Sequence, residues 1–304
     1  MCQYTYSLPP KKEQLMRTIR TSLQPGTLFV YLSLLLISLA CLLPVVWTVS
    51  ASLKDREELY MATPALIPRE PTLANYDWML SQADMSRLPL NMWNSIKVTL
   101  GSVIIQCVVA TMAGFAFARL DFRGRDLIFY LLILLMFVPR AGGLMALYEL
   151  MSSLNLRNSH LGLMLLFPSA ISVALFVMRQ SFLGVPRELE EAAIMDGANT
   201  WQLFWHVDVP MVKGGIAVVA IWEFIYVWGE YLITLTMLDF PELETVSIAV
   251  TKLQGWGAHF TSSILAGYGA EAAAYVIAMA PVILMFILLQ KWFVRGLSEG
   301  ILKL

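Results

Sequence analysis

Two acidic residues within a long apolar run have the type and spacing that most suggest chemistry in this chain. Glu223 and Glu230 are seven residues apart, so they lie on roughly one face if the run is helical. Their carboxylates could hold a proton or accept hydrogen bonds from a polar solute. The same run carries four aromatic residues, which are Trp222, Tyr226, Trp228 and Tyr231.

Three interpretations of these carboxylates are open on the residues alone. They could carry protons in a secondary transporter, or act as acid and base in a membrane enzyme. They could instead join neighbouring helices, for example through an ion pair with Arg140, which follows Pro139 in another apolar run. The enzyme has the least support, because the glutamates have no nucleophile–base pair beside them and the three histidines lack metal-ligand spacing.

The composition indicates a membrane protein. Apolar residues make up 58% of the 304 positions and charged residues only 14%, whereas soluble domains have about 45–50% and about 25%. The excess apolar surface is expected to face membrane lipid. The net charge of -1 argues against a nucleic-acid partner. No G-x-x-x-x-G-K-[ST] sequence is present, so any ATP that drives this protein must bind to another chain.

The apolar runs predict an all-α polytopic membrane protein. About 20 apolar helical residues are needed to cross a bilayer core about 30 Å thick. Six runs meet this requirement, and they are Leu28–Val49, Ile96–Phe117, Leu127–Leu150, Leu161–Val177, Ile216–Met237 and Ala272–Trp292. The two long connections on one side, residues 50–95 and 238–271, are expected to be solvated loops or a docking surface.

The distribution of Lys and Arg predicts the orientation. Alternate connections, counted with the two termini, carry 13 of the 21 cationic residues, and the opposite side carries seven. Since positive residues accumulate on the cytoplasmic side, both termini are predicted to be cytoplasmic. The expected organisation is a cytoplasmic segment over residues 1–27 and a six-helix domain over residues 28–304. That domain includes a cytoplasmic loop over residues 178–213.

This loop has the pattern of two short helices. Pro186 suits the first turn of a helix. Gly197 would end that helix in a left-handed conformation. Thr200 can cap a second helix, Trp201 to Val207, which Pro210 would close. Small alanines on one face would let a partner approach closely, although a hairpin without a partner is also open on these features.

The loop resembles the E-A-A…G…L-P signature of permease subunits of bacterial ABC importers. The matching residues are Glu191-Ala192-Ala193, Asp196-Gly197-Ala198, Phe204 and Val209-Pro210. The resemblance implies a type I importer permease fold and a coupling loop that seats in a cytoplasmic ATPase. It assigns the coupling contacts to Glu190, Glu191, Ala192, Ala193, Asp196, Gly197, Ala198, Phe204 and Pro210.

Other segments resemble the carbohydrate branch of that family, the maltose-permease type. They are Ser52 to Glu58, Ala116 to Gly124 and Gln290 to Gly296. Trp228-Gly229-Glu230-Tyr231 stands where the branch often has Trp-Asn-Asp/Glu-Phe, so Gly229 departs from the pattern. The resemblance implies a sugar, oligosaccharide, glycoside or polyol as the solute. The expected substrate pathway comprises Trp228, Glu230, Tyr231, Glu223 and Arg140.

The resemblance also implies partners and a location. The expected assembly pairs this chain with a homologous second permease, two copies of a cytoplasmic ATP-binding subunit and an external solute-binding protein. The ATP-binding subunit would hold ATP and Mg, so neither cofactor, metal nor catalytic residue is expected in this chain. The expected location is the bacterial inner membrane. An ABC permease for amino acids or peptides shares the loop signature and is the alternative within the family.

Overall fold

The computed structural model describes residues 25–59, 61, 65–81, 87–138, 140–259 and 268–301. Within these ranges the regular structure is entirely helical, as the composition predicts. The α-helices are α1 (Pro25–Ser52), α2 (Arg56–Leu59), α3 (Ala74–Ser81), α4 (Leu88–Arg119), α5 (Arg125–Leu134), α6 (Leu144–Ser153), α7 (His160–Leu166), α8 (Ser172–Leu183), α9 (Arg187–Met195), α10 (Thr200–Gln202), α11 (Val209–Met211), α12 (Lys213–Gly229), α13 (Leu232–Met237), α14 (Val246–His259) and α15 (Tyr268–Ile301).

Three of these helices are long and apolar enough to cross a bilayer, namely α1, α4 and α15. They coincide with the first, second and sixth predicted spans. The α1 helix continues through Pro44, which a helix tolerates in a membrane where neighbouring groups satisfy the freed carbonyl. One turn later, the Thr48 hydroxyl donates a hydrogen bond to the carbonyl of Pro44 itself over 2.8 Å.

The third, fourth and fifth predicted spans are interrupted. Between α5 and α6 the chain forms 3₁₀ turns at Leu135–Phe137 and Arg140–Gly143. The second turn contains the helix-breaking pair Gly142-Gly143. The fourth span bends by 57° between α7 and α8, just after Pro168, and the fifth breaks after Gly229, where α12 ends. Thr200–Met211 also bends by 74° against α12, before the predicted start of the fifth span. If each bent pair is one span, the described residues hold five candidate spans, so the count of six stays a prediction.

The α4 helix is the centre of the bundle. It packs along both α8 and α12, while α15 packs against α1 and α12. One apolar cluster joins Phe115, Met178, Phe182 and Val219 from these central helices. In contrast, most of the large apolar side chains of α1 are exposed within this chain, as lipid-facing side chains must be.

The two long connections, predicted to be solvated loops or a docking surface, contain helices within their described residues. Residues 50–95 contain α2, α3 and the first turns of α4, and residues 238–271 contain α14. Polar side chains satisfy the backbone of the first connection, since the Asn75 amide donates to the carbonyls of Ser52 and Lys54 over 2.9 and 2.8 Å. The buried Lys54 ammonium also bonds to the Ala65 carbonyl. The described part of the first connection is therefore held together by hydrogen bonds of its own polar side chains.

Candidate functional site

The segment from α9 to α11 forms a helical hairpin, called here the α9–α11 hairpin. Its first helix begins at Arg187, and Pro186 is the N-cap, immediately before the first turn for which its type is suited. Gly197 follows the helix with a φ of 89°, which confirms the predicted left-handed end. The amides of Gly197 and Ala198 donate to the carbonyls of Ile194 and Ala193, both over 2.9 Å. This pattern satisfies two carbonyls that the helix end would otherwise leave unpaired.

The second half of the hairpin differs from the prediction in three ways. Its N-cap is Asn199, not Thr200, because Asn199 and Gln202 exchange side-chain-to-backbone hydrogen bonds of 2.9 Å. The chain then follows a π-helix over Leu203–Asp208 instead of a simple α-helix. Pro210 does not end the helical path, because it lies in the first turn of α11, where its missing N–H costs little.

The hairpin divides the predicted coupling residues between its surface and its root. Glu191, Ala192, Asp196 and Gly197 are exposed around the end of α9, and Ala193 is half-buried. They lie among large exposed apolar side chains, which are Ile194, Met195, Trp201 and Trp205. A compact apolar surface with small residues and one acidic ridge is suited to docking in a partner's groove.

Two of the predicted residues lie at the root instead. Phe204 is only 2% exposed and packs edge-to-face on Phe115 of α4, with ring centroids 5.0 Å apart. Its centroid is 6.4 Å from that of Phe182 in α8. Glu190 points inward and pairs with Arg119, the last residue of α4. These two side chains therefore attach the hairpin to the bundle rather than present it to a partner.

A buried group of charges surrounds the Glu190–Arg119 ion pair. Arg119 also donates from Nη2 to the carbonyl of Val185 over 2.8 Å. Asp208, at the end of the π-helix, has no exposed surface. Burial, and then the negative charge of Glu190, raise the pKa of the Asp208 carboxyl from 3.8 to about 6, while Arg119 opposes both effects. Sequence reasoning missed this group, although an aspartate between two valines was an available signal.

Three of the predicted solute-pathway residues, Trp228, Glu230 and Tyr231, lie where the fifth span breaks. Glu230 follows α12 in an extended conformation, and its Oε1 accepts a 2.9 Å hydrogen bond from the Ile233 amide at the start of α13. The Ser247 hydroxyl donates to the Glu230 carbonyl over 2.8 Å. Glu230 and Tyr231 are half-buried. Glu230 therefore stabilises the break while remaining partly accessible.

The structure corrects the prediction that Glu223 and Glu230 share a helical face. Since α12 ends at Gly229, only Glu223 lies in the helix, where it is 4% exposed within the chain. Trp228 is also buried; its Nε1 donates to the Ala278 carbonyl over 3.1 Å, and its ring stacks on Phe224. Trp228 therefore joins α12 to α15, and both Trp228 and Glu223 are buried within the chain in this conformation.

Two further predictions concern Arg140 and metal binding. Arg140 lies in the 3₁₀ turn Arg140–Gly143, and its side chain lies outside the part of the chain that is described. Among the described residues, no group of three or more His, Cys, Asp or Glu side chains could hold a metal ion. The candidate site thus consists of a hairpin with an exposed apolar end, its charged root and a helix break.

Comparison with known proteins places these features in a family context. The profile of the family described as "Binding-protein-dependent transport system inner membrane component" matches residues 108–299. This chain is 32% identical to the sulfoquinovosyl glycerol transport system permease protein of Agrobacterium fabrum, over 90% of this chain and 93% of that protein. It is 31% identical to the galactooligosaccharides transport system permease protein of Bacillus subtilis, over 90% and 94%.

A solved structure shows the same fold. A chain in the crystal structure of a bacterial ABC transporter involved in the import of the acidic polysaccharide alginate superposes with a TM-score of 0.76 at 21% sequence identity. The match covers 94% of this chain and 99% of that one. The overall arrangement of helices described above is therefore one that a solved structure also has.

Proposed function

The chain belongs to the family of binding-protein-dependent transport system inner membrane components, and from this premise we propose that it forms half of a solute path through the membrane. As a member of that family it is a multi-pass membrane transport component rather than an enzyme. We propose that it is a permease subunit of an ATP-driven importer of a sugar, oligosaccharide, glycoside or polyol. The observation that carries this proposal is the exposed end of the α9–α11 hairpin.

The proposed assembly follows from what this chain lacks and what it displays. It has no P-loop sequence, so ATP and Mg would bind to a separate ATPase, present in two copies. The hairpin would seat in that ATPase through the exposed residues around Glu191 and Gly197. A homologous second permease would complete the path, and an external solute-binding protein would deliver the solute. Six spans with both termini cytoplasmic would place the hairpin on the ATPase side.

The proposed mechanism is alternating access. When ATP draws the two ATPase subunits together, they would move the hairpin, and the interrupted spans would repack from an inward-facing to an outward-facing arrangement. ATP can shift the equilibrium between the inward-facing and outward-facing arrangements only by the difference between its binding free energies to the two arrangements. The breaks beside Pro168 and Glu230 are suitable hinges, because few backbone hydrogen bonds need to change there.

The carbohydrate class is supported by several relatives rather than one. The matched proteins are named as permeases for sulfoquinovosyl glycerol, galactooligosaccharides, diacetylchitobiose and arabinooligosaccharides. Glu230 and Tyr231, half-buried at the helix break, offer a hydrogen-bonding group and an aromatic ring of the kind that sugars require. An amino acid or peptide importer would use the same hairpin and remains the alternative within the family.

Uptake measurements test this proposal. Deleting the chain is expected to abolish uptake of at least one of those four radiolabelled sugar classes, and the intact chain should restore it. Restoration should require a functional ATPase, because the chain itself binds no ATP in this account. Uptake that persists without the ATPase would favour the secondary transporter. Unchanged uptake of all four sugars after deletion would contradict the carbohydrate assignment.

A further inference from the structure

We propose that Arg119, Glu190 and Asp208 form a coupling clamp, which carries movement of the α9–α11 hairpin directly into α4. The inference rests on the proposed function, because it concerns how force from an ATPase would reach the bundle. The three residues come from three separate elements, which are the end of α4, α9 and the π-helix. In this role they are positioning residues, since none of them touches the solute.

The clamp gives the hairpin an attachment that the chain's connectivity does not supply. Along the chain, the hairpin is joined only to α8 and α12. The Arg119 guanidinium binds Glu190 and the Val185 carbonyl, so it ties the start of the hairpin to α4 as well. Because α4 packs along both α8 and α12, a displacement of its end reaches the centre of the bundle. Close-packed protein interiors transmit strain from one element to the next.

The π-helix explains how an aspartate comes to lie inside the clamp. A π-turn orients its residues differently from an α-helix. Such turns are rare in proteins overall, and those that do occur are often found at functional sites. Here it buries both Phe204 and Asp208 against the bundle while leaving Trp205 and His206 less enclosed. Phe204 packs on Phe115, in the last turns of α4. The clamp therefore combines an aromatic contact with a charged one at the same root.

The charges that face Asp208 come from two packed elements, with Glu190 on α9 and Arg119 on α4. The nearby cations are directed elsewhere. Arg179 of α8 lies over the Phe129 ring and donates to the Phe117 carbonyl, His206 bonds to the Gln202 carbonyl, and Lys213 is exposed. Arg119 thus pairs directly with Glu190 and acts on the buried Asp208 carboxyl only through its charge.

This charge balance makes the clamp sensitive to protons. Below pH 6 the Asp208 carboxyl holds its proton, so it adds no negative charge beside the Glu190–Arg119 ion pair. Above pH 6 a second negative charge develops without a second cation, so the clamp weakens. Since the pKa of Asp208 is raised on folding, its stabilising contribution is present at low pH and is lost as the pH rises from about 4 to about 6.

The test measures uptake per ATP hydrolysed in proteoliposomes that contain the assembled importer, with the four radiolabelled sugars supplied together. Arg119→Met is expected to lower this ratio at least tenfold, and Arg119→Lys should recover at least a third of it. The matched control is Arg125→Met, which removes a cation bound to the exposed Asp121 and should change the ratio less than twofold. Normal ratios in Arg119→Met would overturn the clamp.

A second variant keeps the test decisive if Arg119→Met does not accumulate. In the unsubstituted importer the ratio should be at least twofold higher at an internal pH of 5.5 than at 7.5. Asp208→Asn should remove this dependence, whereas the exposed control Asp121→Asn should retain it. Equal pH profiles for the importer and Asp208→Asn would contradict the clamp. No ATP-driven uptake by the unsubstituted importer would overturn the proposed function instead.

Discussion

Gly197→Asp is expected to reduce solute uptake at least tenfold while leaving the chain in the membrane. At a φ of 89° any side chain meets backbone strain of about 1–2 kcal/mol, so the end of α9 should move. The substitution also adds a negative charge beside Asp196, on the surface proposed to dock with the ATPase. The measurement is uptake and ATP hydrolysis by the assembled importer, and hydrolysis should continue without transport.

Gly124→Asp is the control for this variant. Gly124 has a φ of 81° and follows α4, so the substitution brings similar strain and the same charge outside the hairpin. It should keep uptake within about twofold of the unsubstituted importer. Equal losses in the two variants would mean that backbone strain alone is responsible. Normal uptake in Gly197→Asp would remove the hairpin from the coupling mechanism.

Gly114→Ala is expected to destabilise the bundle, because this glycine lies where α4 and α8 pack most closely against each other. An added Cβ would lie 2.5 Å from the Met178 Cβ and 3.1 Å from the Arg179 amide nitrogen. The backbone of α8 cannot turn aside as a flexible side chain would, so α4 and α8 must separate. Overpacking of this kind costs about 1–3 kcal/mol, and the denaturation midpoint of the solubilised chain should fall by several degrees.

Gly214→Ala provides the comparison on α12. No atom lies within 4 Å of the added Cβ, so the change should raise stability by up to about 1 kcal/mol through helix propensity. Opposite shifts of the denaturation midpoint in the two variants are therefore expected. A midpoint for Gly114→Ala at or above that of the unsubstituted chain would show that α4 and α8 pack less closely than described.

The parts of the fold that could be predicted from the sequence depend on local physics. Long apolar runs predicted α1, α4 and α15, because apolar length is sufficient to define a span. The left-handed end at Gly197 was predictable because only glycine reaches that conformation without strain. The cap at position 199 was not predicted, because Asn199 and Thr200 are both good capping residues and only the hydrogen bonds decide between them.

The missed features depend on contacts between distant residues. The break at Glu230 separates two glutamates that helical periodicity places on one face, and it requires the Ile233 and Ser247 hydrogen bonds to be stable. The π-helix and the inward direction of Asp208 depend on packing against α4, which lies about 90 positions earlier in the chain. The exposed end of the candidate site was predictable, whereas its charged root was not.

The most direct test of the account places a photo-crosslinking amino acid at Ala192, which is exposed on α9. Illumination of native membranes should join the chain to a nucleotide-hydrolysing protein, and mass spectrometry of the product should identify that protein. The same probe at Met145 of α6, 70% exposed and distant from α9 in sequence, should not capture it. Capture at Ala192 alone is the predicted result. Efficient crosslinking at Ala192 that never yields an ATPase would contradict the central claim.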